Sequence, residues 1–148
     1  MRLTKQVRVR FGHADPARIV YYPRFFEWFH DTFETWFDEV LQINYAEVLN
    51  GRRVGFPTVQ VATEFKEPAR FGEVVDVQMF LSRLTDRSAT VEYRVYREGR
   101  LLATASVKVV AMNLDEHTST TIPGDIRAAF EPYVEENADP PNTARLYG

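Results

Sequence analysis

The sequence predicts an α+β domain in which an antiparallel sheet of about five strands wraps around one long apolar helix. Three observations point there. Aromatic residues recur at helical spacing after Pro23, four long alternating segments follow, and short polar turns join those segments. The 148 residues suffice for one domain with a genuine core, assigned to residues 1–136, and residues 137–148 form a polar tail with a Pro-Pro pair.

Residues 6–11 alternate, with Val7, Val9 and Phe11 on one side and Arg8 and Arg10 on the other, as a half-buried strand does. A turn-rich stretch then ends at Pro23, whose missing N–H suits the first helical position and makes Tyr22 the N-cap. Phe26, Phe29, Phe33, Trp36, Phe37 and Val40 follow on one helical face, with Phe25 and Leu41 beside them. So aromatic a face belongs inside the fold. A shorter helix holding Tyr45, Val48 and Leu49 ends at the turn Asn50-Gly51. Strands are expected at 58–65, 74–84, 89–97 and 101–112, with Val59, Val61 and Phe65 sharing a face in the first. The turns at 85–87 and 98–100 impose an antiparallel meander. Long edge strands invite pairing, so a homo-oligomer is expected.

Composition narrows the function classes. Hydrophobic residues make up 45% and charged residues 26%, the balance of a soluble globular protein. The net charge of −3 is spread along the chain, with no basic stripe for nucleic-acid phosphates. No segment has the unbroken apolar length that spans a bilayer, and the first residues lack the apolar run of a secretory signal. The chain has no cysteine, hence no disulfide, thiolate nucleophile or thiolate metal site. Three scattered histidines without ligand spacing provide no metal site. A cytoplasmic location fits these features.

Chemistry concentrates in the segment from Phe11 to Pro23. Asp15 lies between strand and helix, seven residues before Tyr22. The loop can return Asp15 to the amides that open the helix, which have no intrahelical acceptor and favour negative charge. A carboxylate beside an amide aimed at a carbonyl oxygen is the minimum equipment for acyl transfer. A thioester suits it, because thiolate leaves without a strong acid. The same Asp-Pro pair also reads as an ordinary turn initiator. His13 is a loop residue within reach of Asp15, His117 a turn residue, and Glu27 and Glu34 share one side of the helix, as an exposed charged stripe does.

The run Phe11-Gly-x-x-Asp15-Pro-Ala-x-Ile19-Val-x-Tyr22-Pro23, followed by Trp28, resembles the signature of the 4-hydroxybenzoyl-CoA thioesterase family. The similarity continues through Gly55-Phe-Pro57, Val110-Ala-Met-Asn113 and Ile122-Pro123. It implies the hot-dog fold, with the helix as sausage and the sheet as bun. It also implies that Asp15 is the catalytic carboxylate, as nucleophile or as general base, and that the Tyr22 N–H polarises the thioester carbonyl. Neither metal nor cofactor is implied. The family assembles as dimers or dimers of dimers, with sites at subunit interfaces.

The chain departs from the family pattern at two positions. Arg18 stands where the motif often has glycine, and reaches solvent, pantetheine or phosphate. His30 stands where hydroxybenzoyl-specific relatives resemble one another in carrying a carboxylate for the phenol hydroxyl. That replacement leaves other aryl or medium acyl groups open. By resemblance, Arg87 and Ser88 on the turn at 83–88 would meet the CoA phosphates. The expected activity is therefore hydrolysis of an aromatic or short-to-medium acyl-CoA. A carrier-protein thioesterase and a non-catalytic acyl-CoA-binding or regulatory protein are the alternatives.

Overall fold

The computed structural model describes residues 1–135, so the tail expected at 137–148 lies outside the described residues. Eleven elements follow in chain order. They are β1 (Leu3–Arg8), α1 (Arg24–Thr35), α2 (Tyr45–Asn50), β2 (Val54–Gly55), β3 (Thr58–Phe65) and β4 (Val74–Leu84). Then come β5 (Ser88–Arg97), β6 (Arg100–Val110), β7 (Met112–Asn113), β8 (Thr118–Ser119) and α3 (Gly124–Phe130). The main sheet is antiparallel in the order β1-β4-β5-β6-β3, and β2, β7 and β8 form a smaller ladder. This is the hot-dog architecture, and the five-strand expectation matches it. No helix among the described residues is long and apolar enough to cross a membrane.

α1 sits against the inner face of the sheet because its aromatic stripe has only one place to go. Phe25, Trp28, Phe29 and Phe33 are buried, as are Val75, Val77 and Met79 of β4 and Val91, Tyr93 and Val95 of β5 facing them. Burying each large apolar side chain contributes about 1.5–3 kcal/mol. Thr32 is the polar exception within the stripe, and its hydroxyl donates to the Trp28 carbonyl at 2.7 Å.

Four local expectations need correction. First, β1 ends at Arg8, before Phe11, which enters a 3₁₀ turn (Phe11–His13) and is 81% exposed. The turn is closed by the Arg10 N–H donating to His13 Nδ1 at 3.0 Å, which ends the alternation that Val7 and Val9 began. Second, regular helix starts at Arg24 with Pro23 as N-cap, one residue later than expected. The N–H groups of Arg24 and Phe25 bond back three residues, to Tyr21 and Tyr22, so the entry turn is too tight to be α-helical. Third, the helix continues as a π segment (Trp36–Leu41). The wider i→i+5 turn keeps Trp36 and Phe37 inward but carries Val40 out to solvent. Fourth, a bulge in β3 between Thr58 and Gln60 sets Val59 apart from Val61 and Phe65. Thr58 thereby faces Val109, and Val59 is 58% exposed.

On the outer face of the sheet Glu92 is only 6% exposed. Its carboxylate accepts from the Ser106 hydroxyl. Burial pushes the carboxyl above its ordinary value, while hydrogen bonds from Ser106 and Ser82 and the charge of Arg94 act against that rise. A raised carboxyl binds its proton more tightly folded than unfolded. Its contribution therefore favours folding at low pH and is lost as pH rises through the carboxylate range to the raised value. Glu92→Gln keeps an acceptor for Ser106 and removes the buried charge. We expect its melting temperature at neutral pH to rise by about 2–4 °C, with the difference vanishing in acid. Calorimetry at pH 4 and pH 8 checks this, and an equal shift at both would assign the effect to packing.

Candidate active site

The Asp15 loop is a miniature hairpin. Ala14 and Val20 form an antiparallel bridge, the Asp15 N–H donates to the Ile19 carbonyl at 2.9 Å, and the Tyr21 N–H donates to the His13 carbonyl at 3.0 Å. Asp15 and Tyr22 thus belong to opposite arms of one hairpin whose second arm runs directly into α1. The tip is held by an Asx turn, in which the Ala17 N–H donates to Asp15 Oδ1 at 2.8 Å. Arg18 completes the tip with a φ of 65°, the left-handed conformation that glycine adopts without cost. A bridge from Ile19 to Arg70 and a bond from the Phe71 N–H to the Arg18 carbonyl anchor the hairpin to the loop before β4.

The backbone N–H of Tyr22 has no acceptor among the described residues. It precedes α1, whose dipole favours negative charge there, while the next amides, of Arg24, Phe25 and Phe26, are already bonded to the carbonyls of Tyr21, Tyr22 and Pro23. The Tyr22 ring lies 5.5 Å from Tyr21 and 5.8 Å from Phe65, on the exposed margin of β3. His13 acts on the loop from below, capping the 3₁₀ turn and packing edge-on against Trp28 at 5.4 Å.

Two hollows flank this region. One, of about 540 Å³, is lined by Phe11, Ala14, Asp15, Pro16, Arg18 and Phe71. The other, of about 170 Å³, lies between α1 and the sheet. Its lining includes Phe26, Phe29, His30, Phe33, Tyr45, Phe56, Thr58 and Tyr93. Within one protomer, then, Asp15 and Arg18 share one hollow while His30 lines the other.

Arg87 and Ser88 lie apart from both hollows, at the β4–β5 turn. Arg87 donates to the carbonyl and hydroxyl oxygens of Ser119 at 3.0 and 3.1 Å. Ser88 shares a 2.6 Å hydrogen bond with the Thr85 hydroxyl. Both side chains therefore brace the turn and the small sheet in this structure. Among the described residues no group of three or more metal-ligating side chains comes together.

Reading the sequence did not single out Tyr93 or Thr58 as cavity residues, and placed Tyr45 only as a member of α2. Tyr93 was accessible from the alternation of β5. Thr58 was not, because the bulge that turns it inward has no mark in the hydrophobic pattern.

A family model described as the thioesterase-like superfamily matches residues 9–130. The acyl-CoA thioesterase YbgC of Haemophilus influenzae is 23% identical over 124 residues, covering 84% of this chain and 90% of that protein. A 1,4-dihydroxy-2-naphthoyl-CoA hydrolase of Prochlorococcus marinus is 25% identical over 125 residues, covering 80% of this chain and 82% of its own length. Among solved structures, a gentisyl-coenzyme A thioesterase is 30% identical with a TM-score of 0.78, covering 86% of this chain and 99% of that one.

Proposed function

The chain belongs to the thioesterase-like superfamily, and from that premise we propose that it hydrolyses an acyl-CoA whose acyl group is aromatic or of short to medium length. Asp15 is the catalytic carboxylate, attacking the thioester carbonyl or activating water. The Tyr22 N–H polarises the carbonyl oxygen. The observation that carries this reading is the acceptor-free Tyr22 amide at the head of α1, on the same hairpin as Asp15. A preorganised donor of this kind is worth most where negative charge develops in the transition state. Named relatives that act on CoA thioesters support the same reaction class.

The division of the site between two hollows favours completion by a second copy of the chain. β3 is an edge of the sheet, with unpaired backbone and exposed Val59, Val61 and Phe65. An edge this apolar invites a partner strand. We expect Val59→Lys, outside the cavity, to shift elution toward the protomer mass and to lower kcat/KM at least tenfold. An unchanged assembly with full turnover would remove β3 from the interface.

A second reading has one observation in its favour. The Asx bond engages Asp15 Oδ1 in loop structure, as a residue of a purely binding loop would be. Thiol release from a panel of benzoyl-, hydroxybenzoyl-, phenylacetyl-, short-chain and medium-chain acyl-CoA separates the two. Release from any member supports hydrolysis, whereas acyl-CoA bound without release supports the binding-only protein. Substrates presented on acyl carrier protein belong in the same panel.

A further inference from the structure

Resting on the thioesterase reading, we propose that Tyr45 and Tyr93 select the acyl group. Their hydroxyls hold a hydrogen-bonding substituent of a single aromatic ring inside the cavity between α1 and the sheet, and the cavity admits one ring only.

Size sets the first limit. An apolar cavity of about 150 Å³ takes up benzene, so the 170 Å³ here matches one six-membered ring. A fused pair of rings would have to protrude through its open side. The walls supplied by Phe26, Phe29, Phe33 and Phe56 are aromatic and suit a flat guest.

Polarity sets the second. Neither the Tyr45 nor the Tyr93 hydroxyl has a hydrogen-bond partner among the described residues, and neither is sealed from solvent, so both can bond to a guest in the cavity. Both rings are held in place. Tyr93, 4% exposed, stacks on Phe29 with centroids 4.6 Å apart, and Tyr45 packs at 4.7 Å from Phe37 and edge-on at 5.8 Å from Phe33. Burial, with a lesser effect of Glu34, raises the Tyr45 phenol to about 12, so it stays neutral and able to donate at ordinary pH. Tyr93 is pushed up by burial and then by Tyr45, which marks the two phenols as electrostatic neighbours. His30 and Thr58 line the same space.

A plain phenyl group would leave these hydroxyls dehydrated and unpaired. A guest carrying a hydroxyl or similar group restores the bonds that entry removes. Sites built this way discriminate far more sharply than a purely apolar pocket does.

The test compares kcat/KM for benzoyl-CoA, 3- and 4-hydroxybenzoyl-CoA and 1,4-dihydroxy-2-naphthoyl-CoA. Wild type is expected to favour a hydroxybenzoyl ester over benzoyl-CoA by about tenfold or more, and to turn over the fused-ring ester more slowly than the preferred monocyclic one. The preference ratio should collapse in the Tyr45→Phe/Tyr93→Phe double variant and survive in Tyr96→Phe, a β5 residue outside the cavity. A ratio unchanged by the double variant, or a fused-ring ester hydrolysed as fast as the monocyclic one, overturns the proposal. Phenol and toluene binding by NMR reads the same cavity without any thioester. The double variant should weaken phenol binding selectively, and equal effects on phenol and toluene would also overturn the proposal. If no ester is hydrolysed, the thioesterase reading fails alone, and the phenol–toluene comparison still decides the role of the two tyrosines.

Discussion

Asp15→Asn is expected to remove thiol release, with kcat/KM falling roughly 10²–10⁴-fold while the melting temperature stays at its wild-type value. The geometry of the loop makes asparagine the informative replacement. Its side-chain carbonyl still accepts the Ala17 N–H that now meets Asp15 Oδ1 at 2.8 Å, so the Asx turn persists. What disappears is the negative charge, and with it the means to attack a carbonyl or to take a proton from water. Asp15→Ala removes the turn bond as well and should cost about 1 kcal/mol of stability besides. Loss of turnover in both variants assigns chemistry to the carboxylate. An active Asn variant beside an inactive Ala variant would make Asp15 a turn residue and would transfer the search to the helix carboxylates Glu27 and Glu34.

The size of that expected loss follows from how little else is present to replace it. The hairpin supplies one carboxylate, one acceptor-free amide and an arginine whose φ of 65° points to a backbone held by its neighbours. The nearby histidine uses Nδ1 to close the 3₁₀ turn. Positioning Asp15 thus depends on His13 and on the Arg70–Phe71 backbone, and the reacting group itself has no substitute within the loop.

Much of this was readable before the structure. Alternation located β3 to β6 nearly to the residue, because each strand is amphipathic and each turn short. The aromatic stripe placed α1, because a helix so apolar on one face has no alternative to burial. Motif spacing drew Asp15 and Tyr22 into one loop, and the hairpin contains both. The failures share a cause. The π turn after Thr35, the β3 bulge and the 3₁₀ turn at Phe11 each change the backbone period without changing the residue types that the period organises. Val40, Val59 and Phe11 are apolar residues that such irregularities carry to the surface. Separation of Asp15 from His30 within a protomer was equally unreadable, since hollows arise from packing between elements far apart in sequence.

α3, like the short strands β2 and β8, goes unannounced in the sequence pattern, and Phe130→Ala measures its worth. The helix is only seven residues long, too short to announce itself by periodicity. Its last residue is nevertheless fully buried, stacked on Trp36 at 4.6 Å and edge-on to Phe37 at 5.6 Å, with Phe56 at 6.0 Å. Truncating such a ring costs about 3–5 kcal/mol, a large fraction of the roughly 5–15 kcal/mol that holds a domain together. The melting temperature should fall by roughly 6–20 °C. Phe71→Ala, half exposed and paired with Phe11, supplies the surface comparison and should move it little. Because Phe56 belongs both to this cluster and to the cavity wall, the Phe130 variant should also lose acyl-group preference at temperatures where it remains folded. A cost below about 1 kcal/mol would mean that α3 covers the core without packing into it, and that the cavity wall stands without its support.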